Sequence, residues 1–139
     1  MVQTYVNTEL EQLLKPDILQ SKTILVAEDD ETNFYLLKEY LEFTKANIIW
    51  AQDGKEAVEI VRSSSSIDII FMDIRMPEMD GFEALKKIRS FQLDVPIVAV
   101  TAYAVNGDRE KALKFGFNDY ISKPVSRKVL LEILMKIVI

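Results

Sequence analysis

An apolar run halts on one carboxylate and bends into a loop at Ile69-Ile70-Phe71-Met72-Asp73-Ile74-Arg75-Met76-Pro77-Glu78-Met79-Asp80-Gly81, and this stretch constrains the fold more than any other. Side chains alternate between the two faces of a strand, so an unbroken Ile/Phe/Met run needs apolar cover on both faces. That is the pattern of a parallel sheet between layers of helices. Sheets of this kind build their sites beyond the carboxyl ends of the strands. Asp73 is therefore a candidate for chemistry, although alone it reads equally well as the cap of a loop.

The rest of the chain alternates strand and helix signals from Lys22 onward. Thr23 to Ala27 is a first strand, followed by Glu28-Asp29-Asp30 and a helix over about Glu31 to Phe43, with Phe34, Leu37 and Leu41 on one face. Ile48 to Ala51 is a second strand, in which Trp50 reads as sheet packing. Asp53-Gly54 then turns into a helix with Ala57, Val58, Ile60 and Val61 inward. After a loop at residues 63–66, Ile67 to Met72 is the third strand, and Phe82, Leu85 and Ile88 share one face of the helix after Gly81. Pro96 to Val100 is the fourth strand, ended by Thr101, with the Pro where a missing N–H is tolerated. A helix over about Asn106 to Phe115 closes on Gly116, Asp119 to Ser122 is a short fifth strand broken by Lys123-Pro124, and Ser126 caps a last helix to about Val138. Strands alternating with helices imply an α/β fold with right-handed crossovers and helices on both faces.

Residues 1–21 differ in character. Thr8-Glu9-Leu10-Glu11 has capping-box spacing, and Leu10, Leu13 and Leu14 suit a short helix ending before Pro16, so this part reads as a linker or tail ahead of a domain over 22–139. The 139 residues, 49% hydrophobic, suit one domain with a proper core. The chain lacks cysteine and histidine, which excludes disulfides, thiolate or imidazole metal sites and any internal histidine donor. A net charge of −5 speaks against a nucleic-acid surface. No basic and apolar leader opens the chain and Lys136 interrupts its apolar end, so a cytoplasmic location without membrane insertion is expected.

Collected by topology, the strand ends deliver Glu28 and Asp29, Asp73, Thr101 and Lys123 to one crevice. Like charges about 4 Å apart repel by roughly 4 kcal/mol at an effective dielectric of 20, so three carboxylates there call for a cation. Oxygen donors alone suit a hard divalent ion, Mg²⁺ (or Mn²⁺), beside the compact charge of Lys123. Such a site fits phosphoryl transfer, with an aspartate as acceptor and Thr101 as hydroxyl donor.

On these residues the chain resembles the receiver domain of two-component response regulators, and looks most like the C-terminal receiver of a hybrid sensor histidine kinase. The matching stretches are Ile24 to Asp30, Met72 to Gly81, Val98 to Ala102 and Tyr120 to Pro124. The resemblance implies a flavodoxin-like (βα)5 doubly wound sheet, strand order 2-1-3-4-5. It implies Asp73 as acceptor of a phosphoryl group from a histidine kinase or histidine phosphotransfer partner. Asp29, Asp73 and the Arg75 carbonyl would ligate the metal, with Glu28, a variant of the more usual Asp, acting through water. Thr101 and Lys123 would hold phosphoryl oxygens, and Lys123-Pro124 would be cis. The resemblance also implies a Thr101–Tyr120 switch altering the surface of the fourth helix, fifth strand and fifth helix, through which a dimer could form. Asn33, Leu36 and Val125 would dock the phosphodonor, and Arg75 and Tyr103 would border the phosphoryl group and set its lifetime.

Turnover is expected only as self-phosphorylation and self-dephosphorylation, although a parent chain would carry kinase activity. The competing readings are a stand-alone single-domain regulator, a silent receiver, a flavodoxin-type cofactor binder and an aspartate-dependent phosphatase. Glu28-Asp29-Asp30 stands where a cofactor binder needs an uncharged phosphate loop, and Arg75 stands where the phosphatase carries a second acid.

Overall fold

In the computed structural model the apolar runs form five parallel strands, β1 (Thr23–Ala27), β2 (Asn47–Ala51), β3 (Ile69–Asp73), β4 (Ile97–Thr101) and β5 (Asp119–Ser122). They are connected by α1 (Glu31–Leu41), α2 (Gly54–Ser63), α3 (Gly81–Arg89) and α4 (Asp108–Phe115), and α5 (Arg127–Ile137) follows β5. The structure describes residues 15–64, 66–102 and 107–139, so the helix expected around Leu10 and the expected role of Tyr103 lie outside the described residues.

The strand order is β2-β1-β3-β4-β5, the flavodoxin-like order expected. β3 and β4 lie inside the sheet and every residue of both is buried, which is why their sequences run apolar without alternation. Val26, Phe71, Val98 and Val100 face a core shared with Phe34, Leu37, Leu130 and Leu134 of α1 and α5. Leu25, Ile70, Met72 and Ala99 face the other core, with Ala57, Leu85, Ile88 and Ala112 of α2, α3 and α4. The core reaches back past Lys22: Leu19 is 1% exposed, packs with the α1/α5 core and donates its N–H to the Thr44 carbonyl at 3.0 Å.

Short polar turns start the helices at the carboxyl edge. Asp30, Asp53, Asp80 and Ser126 are N-caps whose side chains accept from the N–H of Asn33, Glu56, Glu83 and Val129. Their side chains compete with the strand ladder for backbone donors, so they end the extended run and begin the helix.

Several boundaries differ from expectation for local reasons. The first helix stops at Leu41; Phe43 falls in a 3₁₀ turn over Glu42–Thr44, where the Thr44 hydroxyl donates to the Leu41 carbonyl and Lys45 takes φ of 62°. β3 begins at Ile69 rather than Ile67, and the Asp68 carboxylate accepts from the Thr23 N–H at 2.8 Å. Among the described residues, no helix is long and apolar enough to cross a membrane.

Candidate functional site

The sheet register decides which polar residues meet. Ala27 pairs with both Ala51 and Met72, and Asp73 pairs with Val100, so the residues just past β1 lie level with the end of β3. Glu28, Asp29 and Asp73 consequently each present an oxygen within 4.8 Å of the others, and they are the one such acid cluster among the described residues. Glu28 is 2% exposed and Asp73 5%, while Asp29 is exposed.

Lys123 holds the two buried acids together. Its Nζ lies 2.8 Å from Glu28 Oε1 and 2.9 Å from Asp73 Oδ2. Burial alone would lower the lysine pKa, but its hydrogen bonds to Glu28 and Asp73 outweigh that and hold it above the ordinary value. Glu28 is pushed up to about 7, first by burial and also by the charge of Asp73, against the pull of Lys123 and the Asp30 N–H. One ammonium thus does not neutralise three carboxylates, and their oxygens suit a hard divalent cation.

The remaining candidates converge on the same edge. The Arg75 N–H donates to Asp73 Oδ1 at 3.1 Å. Thr101 is buried, and its carbonyl accepts from the Lys123 N–H at 2.7 Å, which ties the end of β4 to the Lys123-Pro124 turn. The Lys123–Pro124 peptide is cis. A cleft of about 250 Å³ beside Asp73 is lined by Ile74, Arg75, Asp80, Phe82, Thr101 and Lys111, among others. The Tyr120 hydroxyl is buried with no hydrogen-bond partner among the described residues, and burial together with the charge of Asp108 pushes its pKa up. Asn33, Leu36 and Val125 line a narrow cleft of about 40 Å³ with Glu28, Lys123 and Pro124; Val125, 7% exposed, forms part of its floor.

Sequence reasoning missed two contributors. Trp50, read as sheet packing, donates its indole N–H to the Glu28 carbonyl at 2.7 Å. The link spans 22 positions and has no local signature. Gly81, noted only as a turn residue, leaves no room for a side chain: a Cβ there would lie 2.5 Å from the Asp73 carbonyl oxygen.

The chain is similar to known proteins. The chain is 40% identical over 119 residues to hybrid signal transduction histidine kinase I of Dictyostelium discoideum, covering 80% of this chain and 7% of that protein, so it spans a small part of that relative's length. It is similar, at TM-score 0.76 and 36% identity, to the receiver domain of the sensor histidine kinase PA1611 of Pseudomonas aeruginosa PAO1, solved with magnesium coordinated in the active site cleft. That match covers 84% of this chain and 96% of the other. It also superposes, at TM-score 0.77 and 34% identity, on a Saccharomyces cerevisiae complex of the histidine phosphotransfer signaling protein Ypd1 with the Ssk1 receiver domain, covering 84% of this chain and 88% of the other. Residues 24–135 match the response regulator receiver domain family, a span that runs from the second residue of β1 into α5 and contains each residue of the acid and lysine cluster. The chain accordingly belongs to that family, the receiver domains of two-component and phosphorelay signalling.

Proposed function

We propose that Asp73 is the phosphoacceptor, receiving a phosphoryl group from a histidine on a partner kinase or phosphotransfer domain. The observation that carries this reading is the position of Asp73 at the end of a buried strand, with one carboxylate oxygen on Lys123 and the other on the Arg75 N–H. Asp29 and Asp73, with the Arg75 carbonyl and Glu28 through water, would hold Mg²⁺; the acid cluster fits such an ion by donor type and spacing. When bound, the ion supplies charge neutralisation between the acceptor carboxylate and the incoming phosphoryl oxygens.

This chain's own residues do the rest. An Asp73 carboxylate oxygen forms the new P–O bond while the bond from phosphorus to the donor's imidazole nitrogen breaks, and the electron pair stays with the histidine. Lys123 passes from the carboxylate to a phosphoryl oxygen, and the Thr101 hydroxyl donates to another. Arg75, two residues beyond Asp73, borders the product and governs how fast water removes it. The Tyr120 hydroxyl, buried without a hydrogen-bond partner among the described residues, supports a switch in which the ring follows Thr101 and reshapes the face of α4, β5 and α5, through which copies would dimerise.

Asn33, Leu36 and Val125 receive the donor, because they line a cleft that opens next to Lys123. The similarity to a hybrid kinase and to a receiver bound by a phosphotransfer protein supports a place in a phosphorelay, with the domain over 22–139 plus the turn bearing Leu19, working in the cytoplasm. The test is intact-mass measurement after incubation with Mg²⁺ and acetyl phosphate. Wild type gains one base-labile phosphoryl group and Asp73→Asn gains none; equal phosphorylation of both proteins refutes the assignment.

A further inference from the structure

Three contacts converge on the turn between β1 and α1. The Trp50 indole N–H reaches the Glu28 carbonyl at 2.7 Å, and the Glu28 N–H donates to the Ala51 carbonyl at 2.9 Å. The Asp30 N–H donates to Glu28 Oε2 at 3.1 Å. The first two come from the end of β2 and fix both backbone groups of Glu28, and with them the peptide plane leading into Asp29. Asp29 itself has no side-chain hydrogen bond among the described residues, so its carboxylate is aimed by the main chain alone. The indole also stacks on Phe34, with ring centroids 4.4 Å apart and planes 5° from parallel, and Tyr35 meets it edge-on at 6.0 Å. Phe34 belongs to the helix that Asp30 caps, so the same ring ties together the end of β2, the acidic turn and the start of α1.

We infer that Trp50 is a positioning residue for metal binding: its indole hydrogen bond to the Glu28 carbonyl sets the Glu28–Asp29 peptide and so the approach of the Asp29 carboxylate to a divalent cation. The inference rests on the magnesium reading above. Trp50 does not touch the ion. A backbone carbonyl at a strand end otherwise has water for a partner, and with water the turn samples several orientations; a partly buried aromatic donor selects one. Because Trp50 is the single tryptophan of the chain, its emission reports directly on this turn.

The experiment uses Trp50→Phe, which keeps a ring against Phe34 and removes only the donor, and Phe34→Leu, which removes the stacked ring and keeps the donor. Mn²⁺ affinity is measured on the full chain from the electron paramagnetic resonance signal of the free ion, beside metal-free thermal unfolding. Loss of one hydrogen bond predicts Mn²⁺ binding about 3- to 10-fold weaker in Trp50→Phe. Phe34→Leu should lower the unfolding midpoint at least as much while staying within about two-fold of wild-type affinity. Wild-type tryptophan emission should also change on adding Mg²⁺. Wild-type affinity in Trp50→Phe, or equal weakening in Phe34→Leu, overturns the positioning role while the metal reading stands. Failure of the wild type to bind Mn²⁺ overturns the metal reading, and the inference with it.

Discussion

Gly81→Ala tests how closely α3 is seated on Asp73, the proposed acceptor. The added Cβ would lie 2.5 Å from the Asp73 carbonyl oxygen and 2.8 Å from the Ile74 Cα, both main-chain atoms that no rotamer can move aside. Ordinary contact begins near 3.4 Å, so the helix start must lift by close to 1 Å. That movement stretches the Gly81 N–H bond to the Ile74 carbonyl, now 2.8 Å. Overpacking of this kind costs about 1–3 kcal/mol, and a weakened backbone hydrogen bond adds about 0.5–1.5 kcal/mol. Alanine recovers about 0.5–1 kcal/mol through lower unfolded-state entropy, since the helical backbone at Gly81 suits it. The net expectation is a loss of about 1–3 kcal/mol in urea unfolding. A displacement of that size beside the reacting carboxylate should also slow acetyl phosphate labelling of Asp73 by up to about 10²-fold. Gly116→Ala separates this effect from general glycine loss: it sits at φ of +127° with its nearest neighbour, Leu85 Cδ2, at 3.5 Å, so it costs stability through backbone strain and leaves the labelling rate alone. Stability within 0.5 kcal/mol of wild type together with unchanged labelling in Gly81→Ala would show that the close approach does not constrain the site.

Three further predictions concern charge and docking. Lys123→Ala removes the cation shared by Glu28 and Asp73 and should lower the initial rate of acetyl phosphate labelling by about 10²–10³-fold; a change under three-fold would exclude a role in transfer. Asp119→Asn should cost about 1.5–3 kcal/mol in urea unfolding at pH 7, because its buried carboxylate accepts from the Tyr120 N–H and pairs with Lys136 and Arg109. Burial raises the Asp119 pKa, but those partners outweigh it and hold it below the ordinary value. Its stability is therefore complete above the unfolded carboxylate pKa near 4 and is lost as pH falls through the lower folded one, so a gap between wild type and mutant that closes by pH 6 would contradict the pairing. Leu36→Ala should slow transfer from a phosphohistidine donor domain about ten-fold while leaving acetyl phosphate labelling within two-fold, and equal slowing of both reactions would indicate damage to the fold.

The legible parts of the sequence are those whose signals are local. Each strand ends where an apolar run meets a polar residue, so Glu28, Asp29, Asp73, Thr101 and Lys123 were readable as strand-end residues, and parallel topology alone brings them to one edge. Trp50 was opaque for the opposite reason. A Trp in an apolar edge strand looks like any other packing residue, and its partner is a main-chain carbonyl that carries no sequence label. Ile60 was expected inward with Val58 and Val61 but is only partly buried, because its place on α2 falls at the margin of the apolar stripe. Val125, expected with Asn33 and Leu36 where the donor docks, lines the cleft beside Lys123 and at 7% exposure also packs with the α1/α5 core, a double placement no periodicity specifies.

The electrostatics of the site explain why it sits on turns rather than inside the strands. Burial, with the charge of Asp73 beside it, pushes the Glu28 carboxyl up to about 7, so keeping it ionised in the cluster is costly. A charge kept in that condition works against folding, and two rigid strand interiors could not relax around it. The turns after β1 and β3 can, because the N-capping carboxylates of Asp30 and Asp80 anchor them to α1 and α3 while leaving Asp29 at the surface. A divalent ion that binds only the folded chain returns stability by mass action, about 2.7 kcal/mol at a hundred-fold excess over its dissociation constant. On the magnesium reading, repulsion among these acids would also favour cation capture, and Lys123, already shared between two acids, would be placed to follow the negative charge onto a phosphoryl group.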